Sequence, residues 1–239
     1  MLISEIFGPT YQGEGPSIGR SCIFLRTSNC NLQCRFCDSP YTWNWIGTKF
    51  AHPEKYDRKK EQHKLEYNQV RESILNLAQD KTKMLVISGG EPMLQQKNLQ
   101  RIAAYFRHQG WRIEVETNAT IPLRYEFVDL IDQMNCSPKL ANSGDPVHMR
   151  IKPEILQTYV DLPQSIFKFV VSSNHDLNEI LNLVRDFKIE KRKVWLMPQG
   201  RTREELAKLN QQVKQLALGL GYNFSPRQHI EEFGSKRGV

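Results

Sequence analysis

The sequence has 239 residues, enough for one large domain or two small ones with a substantial core. Hydrophobic residues make up 39% and charged residues 25% of it, and no apolar run approaches the roughly 18 residues of a transmembrane helix, so a membrane span is not expected. The first residues show no secretory signal, which predicts a cytoplasmic protein.

The 33 basic and 26 acidic side chains give a net charge of +7, which would suit an acidic ligand. The charge is dispersed except in the segment 55–64, where acidic residues dilute a group of basic ones. Because no aromatic platform accompanies this segment, we expect a solvated surface, with a nucleic-acid contact as the weaker alternative.

Short β-rich runs alternate with amphipathic segments along the chain, a pattern typical of an α/β fold. The pattern predicts strands at 3–7, 21–26, 84–88, 113–116, 134–137, 166–171 and 193–197, of which the last six could form a parallel sheet. Helical spacing of apolar residues predicts helices at 67–79, 99–106, 123–133, 177–187 and 202–218, the last with a capping box formed by Thr202 and Glu205. The stretch 43–66 fits no element and is interpreted as an insertion or lid, with a mobile loop as the alternative.

Three of the five cysteines, Cys30, Cys34 and Cys37, directly follow a predicted strand. In parallel α/β folds, ligand sites collect on the loops at the carboxyl ends of the strands. A structural zinc site or an electron-transfer iron–sulfur cluster usually has four protein ligands, whereas three thiolates on a four-iron cluster leave one iron with an open position. The triplet therefore favours a cluster that binds and transforms a ligand, whereas Cys22 and Cys136 fall in predicted strands and are interpreted as buried, inert thiols.

Other polar motifs also follow predicted strands. The turn Ser88-Gly89-Gly90-Glu91-Pro92 has two glycines that let the backbone approach a ligand closely. Three later strands end in Glu116-Thr117-Asn118, Ser137-Pro138-Lys139 and Met197-Pro198-Gln199-Gly200. Each motif alone is more often a cap or turn, but together they occupy one edge of the sheet, as a single cofactor lying across it requires.

A glycine-rich segment, Gln12-Gly13-Glu14-Gly15, precedes the cysteines. Its carboxylate lies between two glycines and could accept hydrogen bonds from the paired N–H donors of a guanine-like ring edge. Arg26, at the end of a predicted strand, offers a guanidinium fork that suits a substrate carboxylate. Taken alone, the segment would be a turn with a solvated glutamate.

The C-x3-C-x2-C spacing, with Phe36 before the last cysteine, resembles the signature of the radical S-adenosylmethionine enzymes. The Gly-Gly-Glu-Pro turn resembles the motif of those enzymes for the methionine amino group. In that superfamily the open iron binds the amino and carboxylate groups of S-adenosylmethionine, and electron transfer yields a 5'-deoxyadenosyl radical. The whole set of motifs, in order along nearly the entire chain, is similar to the 7-carboxy-7-deazaguanine synthase family.

That resemblance implies a lyase that converts 6-carboxy-5,6,7,8-tetrahydropterin to 7-carboxy-7-deazaguanine with loss of ammonia, on the route to queuosine and other 7-deazapurines. It implies a [4Fe-4S] cluster, catalytic use of S-adenosylmethionine, magnesium, and a flavodoxin-like or other reductant. The implied fold is a truncated parallel (β/α) partial barrel of about six strands that forms a homodimer.

The resemblance also assigns roles to single residues. Cys30, Cys34 and Cys37 would hold the cluster, and Ser39 would bind magnesium where the family commonly has threonine. S-adenosylmethionine would contact Phe36, Cys37, Asp38, Gly90, Glu116, Asn118, Ser137, Pro138, Lys139, Met197, Pro198, Gln199 and Gly200. The pterin would contact Gln12, Gly13, Glu14, Arg26, Ser88, Gln228 and His229.

We expect a single radical S-adenosylmethionine domain over 1–239, with the insertion or lid at 43–66 and a short C-terminal extension at 230–239. Two alternatives stay open. One is an activating enzyme that places a glycyl radical on a partner protein, for which the Gln12 to Gly15 segment and Arg26 would have no purpose. The other is a non-catalytic Fe–S or zinc binding module.

Overall fold

The computed structural model describes residues 1–48, 50 and 55–239. The strands in this part of the chain are β1 (Leu2–Tyr11), β2 (Ser21–Thr27), β3 (His63–Lys64), β4 (Met84–Gly89), β5 (Arg112–Thr117), β6 (Gln133–Cys136), β7 (Ser165–Val171), β8 (Val194–Pro198) and β9 (Asn223–Phe224). The α-helices are α1 (Arg58–Glu61), α2 (Tyr67–Ala78), α3 (Gln96–His108), α4 (Tyr125–Val128), α5 (Val147–Arg150), α6 (Pro153–Val160), α7 (Asp176–Asp186), α8 (Arg203–Leu220) and α9 (Gln228–Phe233).

These strands form one sheet in the order β3-β1-β2-β4-β5-β6-β7-β8-β9. Neighbouring strands pair parallel from β2 through β4 to β9, whereas β1 pairs antiparallel with both of its neighbours, β2 and β3. The α/β class and the six parallel strands predicted from the sequence are confirmed. With the predicted opening strand, now β1, seven of the nine strands were predicted; β3 and β9 were not, because they have two residues each, too few for a sequence pattern, and form by pairing with β1 and β8.

Alternate residues of the strands face two different environments. In β7, Phe167 and Phe169 belong to the main apolar core, whereas Lys168 and Val170 line a cavity on the other face. The core face is covered by α2, α3, α6, α7 and α8, which all contribute buried apolar side chains to the same cluster. The period of two along β7 therefore directs alternate side chains to the apolar core and to the cavity.

Four of the predicted helices are confirmed as α2, α3, α7 and α8. Thr202 caps α8, its side chain accepting the N–H of Glu205 (3.2 Å), but the Glu205 carboxylate accepts the N–H of Arg201 (2.6 Å) and leaves the capping box half formed. None of the helices in the described ranges is long and apolar enough to cross a membrane.

The helix predicted at 123–133 is wrong over most of its length. Only the four residues of α4 are helical, and β6 already begins at Gln133. The carboxylate of Asp132 accepts the backbone N–H of Ile113 (2.8 Å), so the chain has rejoined the sheet by that point. The apolar spacing of this stretch reflects burial against α3, and the short helices α1, α5, α6 and α9 were not predicted.

The predicted insertion at 43–66 contains α1 and β3 among its described residues, and its residues 49 and 51–54 lie outside them. The described basic side chains between 55 and 64 are exposed.

The two ends of the curved sheet meet through loops. The N–H of Gly15, after β1, donates to the hydroxyl of Ser225, after β9 (2.9 Å), and the N–H of Gln228 donates to the carbonyl of Gly13 (3.0 Å). Since β1 and β9 lie towards opposite edges of the sheet, these contacts complete a partial barrel without strand pairing across the gap.

Candidate functional site

A cavity of about 640 Å³ lies at the carboxyl ends of the parallel strands. Its lining combines the loops after β1, β2, β4, β5, β6 and β8 with residues between 227 and 239. Every residue with a predicted site role lines it except Pro138, Pro198, Gly200 and Gln228. The fold therefore brings the separate sequence motifs into one chamber.

The cysteine loop follows β2 and forms hydrogen bonds with the loop after β6. The N–H of Cys37 donates to the carbonyl of Cys34 (3.1 Å), and the N–H of Gln33 donates to the carboxylate of Asp145 (3.0 Å). Cys34 is buried, and Cys30 and Cys37 are half-buried. Burial raises the pKa of all three thiols, so a metal that binds them must displace their protons.

The cysteines fit a multi-iron cluster. No group of three or more His, Cys, Asp or Glu side chains in the described ranges is placed to hold a single metal ion. The three cysteines nevertheless lie on one short loop, and all three line the same cavity. A four-iron cluster takes each thiolate on a different iron, so the sulfur atoms need not converge on one point.

The Gly-Gly turn after β4 packs directly on the cysteine loop. A Cβ at Gly90 would lie 2.1 Å from the carbonyl oxygen of Asn29, and the N–H of Glu91 donates to that carbonyl (2.8 Å). The buried Glu91 carboxylate accepts the N–H of Asn118 (2.7 Å) and the hydroxyl of Thr117 (2.7 Å). The turn thus joins the ends of β2, β4 and β5, a reason for glycine besides the approach of a ligand.

Two cations hold the carboxylate of Glu14. Lys168 donates to its Oε2 and Arg227 Nε to its Oε1 (2.9 Å), and His229 Nε2 lies 3.9 Å from Oε1. Burial alone would raise the pKa of Glu14, but the charges of Lys168 and Arg227 outweigh it and lower the pKa, so the group stays ionised. An ionised carboxylate only accepts hydrogen bonds, and its oxygens keep further lone pairs for the N–H donors of a ligand.

Glu116 was predicted to contact S-adenosylmethionine, but it lies among the residues predicted to bind the substrate. Its carboxylate accepts hydrogen bonds from Gln12 Nε2 (3.1 Å) and the hydroxyl of Ser88 (3.4 Å). Lys168 Nζ is 3.8 Å from the same carboxylate. Lys168 therefore stands between Glu116 and Glu14 and balances both charges.

Arg26 belongs to a second charged group in the cavity. Its Nε donates to Glu5 Oε1 (2.7 Å), which also accepts the hydroxyl of Tyr41 (2.7 Å), and Arg237 Nε lies 4.0 Å from Glu5 Oε2. The terminal nitrogens of Arg26 make no hydrogen bond with any residue that the structure describes. They are available to an anionic group of a ligand.

The residues predicted to contact S-adenosylmethionine line the wall beside the cysteines. Lys139 Nζ donates to the hydroxyl of Ser137 (2.9 Å), and Asn118 Nδ2 donates to Asn31 Oδ1 on the cysteine loop (3.0 Å). The buried hydroxyl of Ser39, predicted to bind magnesium, is 3.9 Å from Cys37 Sγ.

Four predicted residues lie beside the cavity. Pro138, in the loop after β6, and Pro198, the last residue of β8, each lie between two residues that line it. The carbonyl of Gly200 accepts a hydrogen bond from Arg227, and the Gln228 side chain donates to Glu232 on α9 (2.7 Å).

Sequence reasoning missed several cavity residues. Lys168 had a signal, since it is the single charged residue of a buried apolar strand, whereas Arg227 follows Ser-Pro in a loop and had none. Trp43 donates its Nε1–H to Cys37 Sγ (3.3 Å) from the start of the predicted insertion. The predicted C-terminal extension also lines the cavity, through Ile230 and 234–239.

The chain is similar to known proteins over most of its length. The family model of the Radical SAM superfamily matches residues 24–198. The chain is 30% identical over 239 residues to the 7-carboxy-7-deazaguanine synthase of Pyrobaculum aerophilum, covering 99% of this chain and 96% of that protein. It is 32% identical over 250 residues to that of Rhodopirellula baltica, covering 100% and 89%.

A solved structure shows the same fold. QueE from Escherichia coli matches with a TM-score of 0.67 at 20% identity, covering 95% of this chain and 94% of that one. Two findings therefore agree: the cysteine loop lies in one cavity with the other motifs, and the relatives align over almost the full length of the chain. The chain belongs to the 7-carboxy-7-deazaguanine synthase family of the radical S-adenosylmethionine enzymes.

Proposed function

We propose that the protein converts 6-carboxy-5,6,7,8-tetrahydropterin to 7-carboxy-7-deazaguanine with loss of ammonia. One observation carries the proposal: the cavity that contains the three cysteines also contains an ionised carboxylate, Glu14, and the guanidinium of Arg26, whose terminal nitrogens bond to none of the described residues. The first suits the N–H donors of a pterin ring and the second suits its carboxylate.

The chain's own part in this reaction is to bind, orient and shield. A bound [4Fe-4S] cluster with S-adenosylmethionine would supply the hydrogen abstraction at pterin C6 that precedes ring contraction. Cys30, Cys34 and Cys37 would hold the cluster. Glu14 and Arg26 would fix the two ends of the pterin, so that C6 is the carbon presented for reaction.

The hydroxyl of Ser39 would help to hold magnesium, which would supply a template and a Lewis acid for the substrate. We expect Ser39→Ala to lower product formation more than cleavage of S-adenosylmethionine, because the hydroxyl is not a cluster ligand. Magnesium titration of both activities measures this. The control is Ser4→Ala, a buried hydroxyl outside the cavity, and an unchanged magnesium response in Ser39→Ala would remove Ser39 from the site.

The function is tested by anaerobic reconstitution of the cluster, followed by incubation with the carboxylated tetrahydropterin, S-adenosylmethionine, magnesium and a reductant. Mass spectrometry should detect 7-carboxy-7-deazaguanine and released ammonia only when all components are present. A loaded protein that binds S-adenosylmethionine but makes no product from this pterin would contradict the proposal. A homodimer, a flavodoxin-like reductant and a cytoplasmic location stay predictions.

A further inference from the structure

Arg227 lies where the two ends of the sheet meet, and the proposed reaction gives it no role. Its side chain is 7% exposed. Nε donates to Glu14 Oε1 (2.9 Å), Nη1 donates to the carbonyl of Gly200, and Nη2 donates to Asp38 Oδ2. Each of the three guanidinium nitrogens therefore has a partner, and each partner is on a different segment.

The three segments contain residues that are predicted to contact the two ligands of the proposed reaction. Glu14 is on the loop 12–15 that is assigned to the pterin. Asp38 follows the last cysteine, and Gly200 ends the loop after β8, both of which are assigned to S-adenosylmethionine. One buried side chain thus connects the substrate side of the cavity with its cofactor side.

A guanidinium suits this position because its donors lie in one plane in a fixed fork and it remains charged at any working pH. A lysine ammonium is a single point of charge and would reach only part of the set. Without Arg227, Glu14 would keep its ion pair with Lys168, whereas Asp38 has no other ion pair in the described part of the chain. The segment after the cysteines would then lose its connection to the loop 12–15.

We propose that Arg227 is a positioning residue that couples the two ligand sites, by ordering the loop 12–15, the segment at Asp38 and the loop at Gly200 as one unit. A ligand that orders one segment then removes part of the cost of ordering the others, so each ligand raises the affinity for the other. The inference rests on the proposed function for the identity of the ligands, whereas the three contacts stand without it.

The first test measures S-adenosylmethionine binding to the reconstituted protein by spectral titration, with and without the pterin. In the unmodified protein we expect the pterin to lower the dissociation constant at least about fivefold. In Arg227→Lys this ratio should fall close to one. The matched control is Arg112→Lys, whose side chain pairs with Glu114 (2.7 Å) and Gln133 (2.9 Å) outside the cavity and whose loss should leave the ratio unchanged.

An Arg227→Lys protein that keeps the full ratio would overturn the inference. If Arg227→Lys folds poorly, Asp38→Asn serves instead, since this half-exposed side chain is one partner of the three and its variant should lose part of the ratio. If the unmodified protein does not bind the pterin, the proposed function fails and a second measurement decides the role of Arg227.

That measurement is hydrogen–deuterium exchange of the metal-free protein, which needs no ligand. In Arg227→Lys the peptides covering 12–15, 36–40 and 198–202 should all exchange faster, while the helices α2 and α3 keep their protection. Arg112→Lys should leave the three segments as in the unmodified protein. Unchanged exchange of these segments in Arg227→Lys would show that Arg227 does not order them.

Discussion

The position of a thiol in the fold separates ligand cysteines from structural ones. Cys30, Cys34 and Cys37 line the cavity, whereas Cys22 and Cys136 are fully buried in β2 and β6, as predicted for inert thiols. We expect alanine at any of the three cavity positions to abolish cluster assembly and turnover, and Cys136→Ala to retain both. Iron and sulfide analysis after anaerobic reconstitution measures this. About four irons per chain in a cavity-cysteine variant would contradict the assignment.

Glu14 makes stability depend on pH. Burial alone would raise its pKa, but Lys168 and Arg227 lower it below the ordinary value of 4.5. A carboxylate whose pKa is lower in the folded state stabilises the fold fully above the unfolded pKa, and this stabilisation is lost as the pH falls towards the folded pKa. Glu14→Gln should therefore cost about 3 to 5 kcal/mol of unfolding free energy at neutral pH, because it leaves two buried cations short of a partner.

Urea unfolding of both proteins between pH 3 and 8 provides the measurement, and the difference between the two curves is expected to be constant at neutral pH and to start shrinking as the pH falls below about 4.5. The exposed Glu154→Gln, on α6, is the control and should change the free energy by less than about 0.5 kcal/mol. A difference between Glu14→Gln and the unmodified protein that stays constant down to pH 3 would show that the charge of Glu14 is not the stabilising feature.

At the scale of elements, the segment after α9 crosses the cavity and reaches α1. Arg237 donates to both carboxylate oxygens of Glu61 (3.2 and 2.8 Å), and its guanidinium carbon lies 3.6 Å from the ring centre of Tyr41. The sequence predicted an insertion and an extension as separate features, and the structure places them in contact, with residues of both lining the cavity.

Because Arg237 is partly exposed, we expect Arg237→Ala to loosen 234–239 and α1 while changing global stability by less than about 1 kcal/mol. Hydrogen exchange of these two segments should accelerate together, whereas urea unfolding should hardly change. Arg192→Ala, at an exposed ion pair with Glu190, is the control and should affect neither segment. Unaltered exchange in Arg237→Ala would show that this contact does not hold the segment across the cavity.

At the scale of the whole molecule, the partial barrel depends on the contacts between its two ends. The hydroxyl of Ser225 accepts the buried N–H of Gly15, which would be left unpaired in Ser225→Ala. We expect this variant to lose about 1 to 3 kcal/mol of unfolding free energy, measured in urea. The exposed Ser235→Ala should change it by less than about 0.5 kcal/mol. Equal stability of the two variants would mean that this contact contributes nothing to closure.

The sequence by itself determined the α/β class, the parallel strands and the cysteine loop. Buried parallel strands are continuous apolar runs, and the cysteine spacing is a property of neighbouring residues, so both are visible without the fold. The site residues placed at strand ends also share one cavity, because parallel strands bring their carboxyl ends to one edge.

The tertiary structure alone decided which charges meet. Glu14 pairs with Lys168 and Arg227, which lie 154 and 213 residues further along the chain. No local pattern predicts such pairs, since they depend on how far the sheet curves and on which face of β7 carries Lys168. The same curvature brings the segment after β9 against the loop after β1.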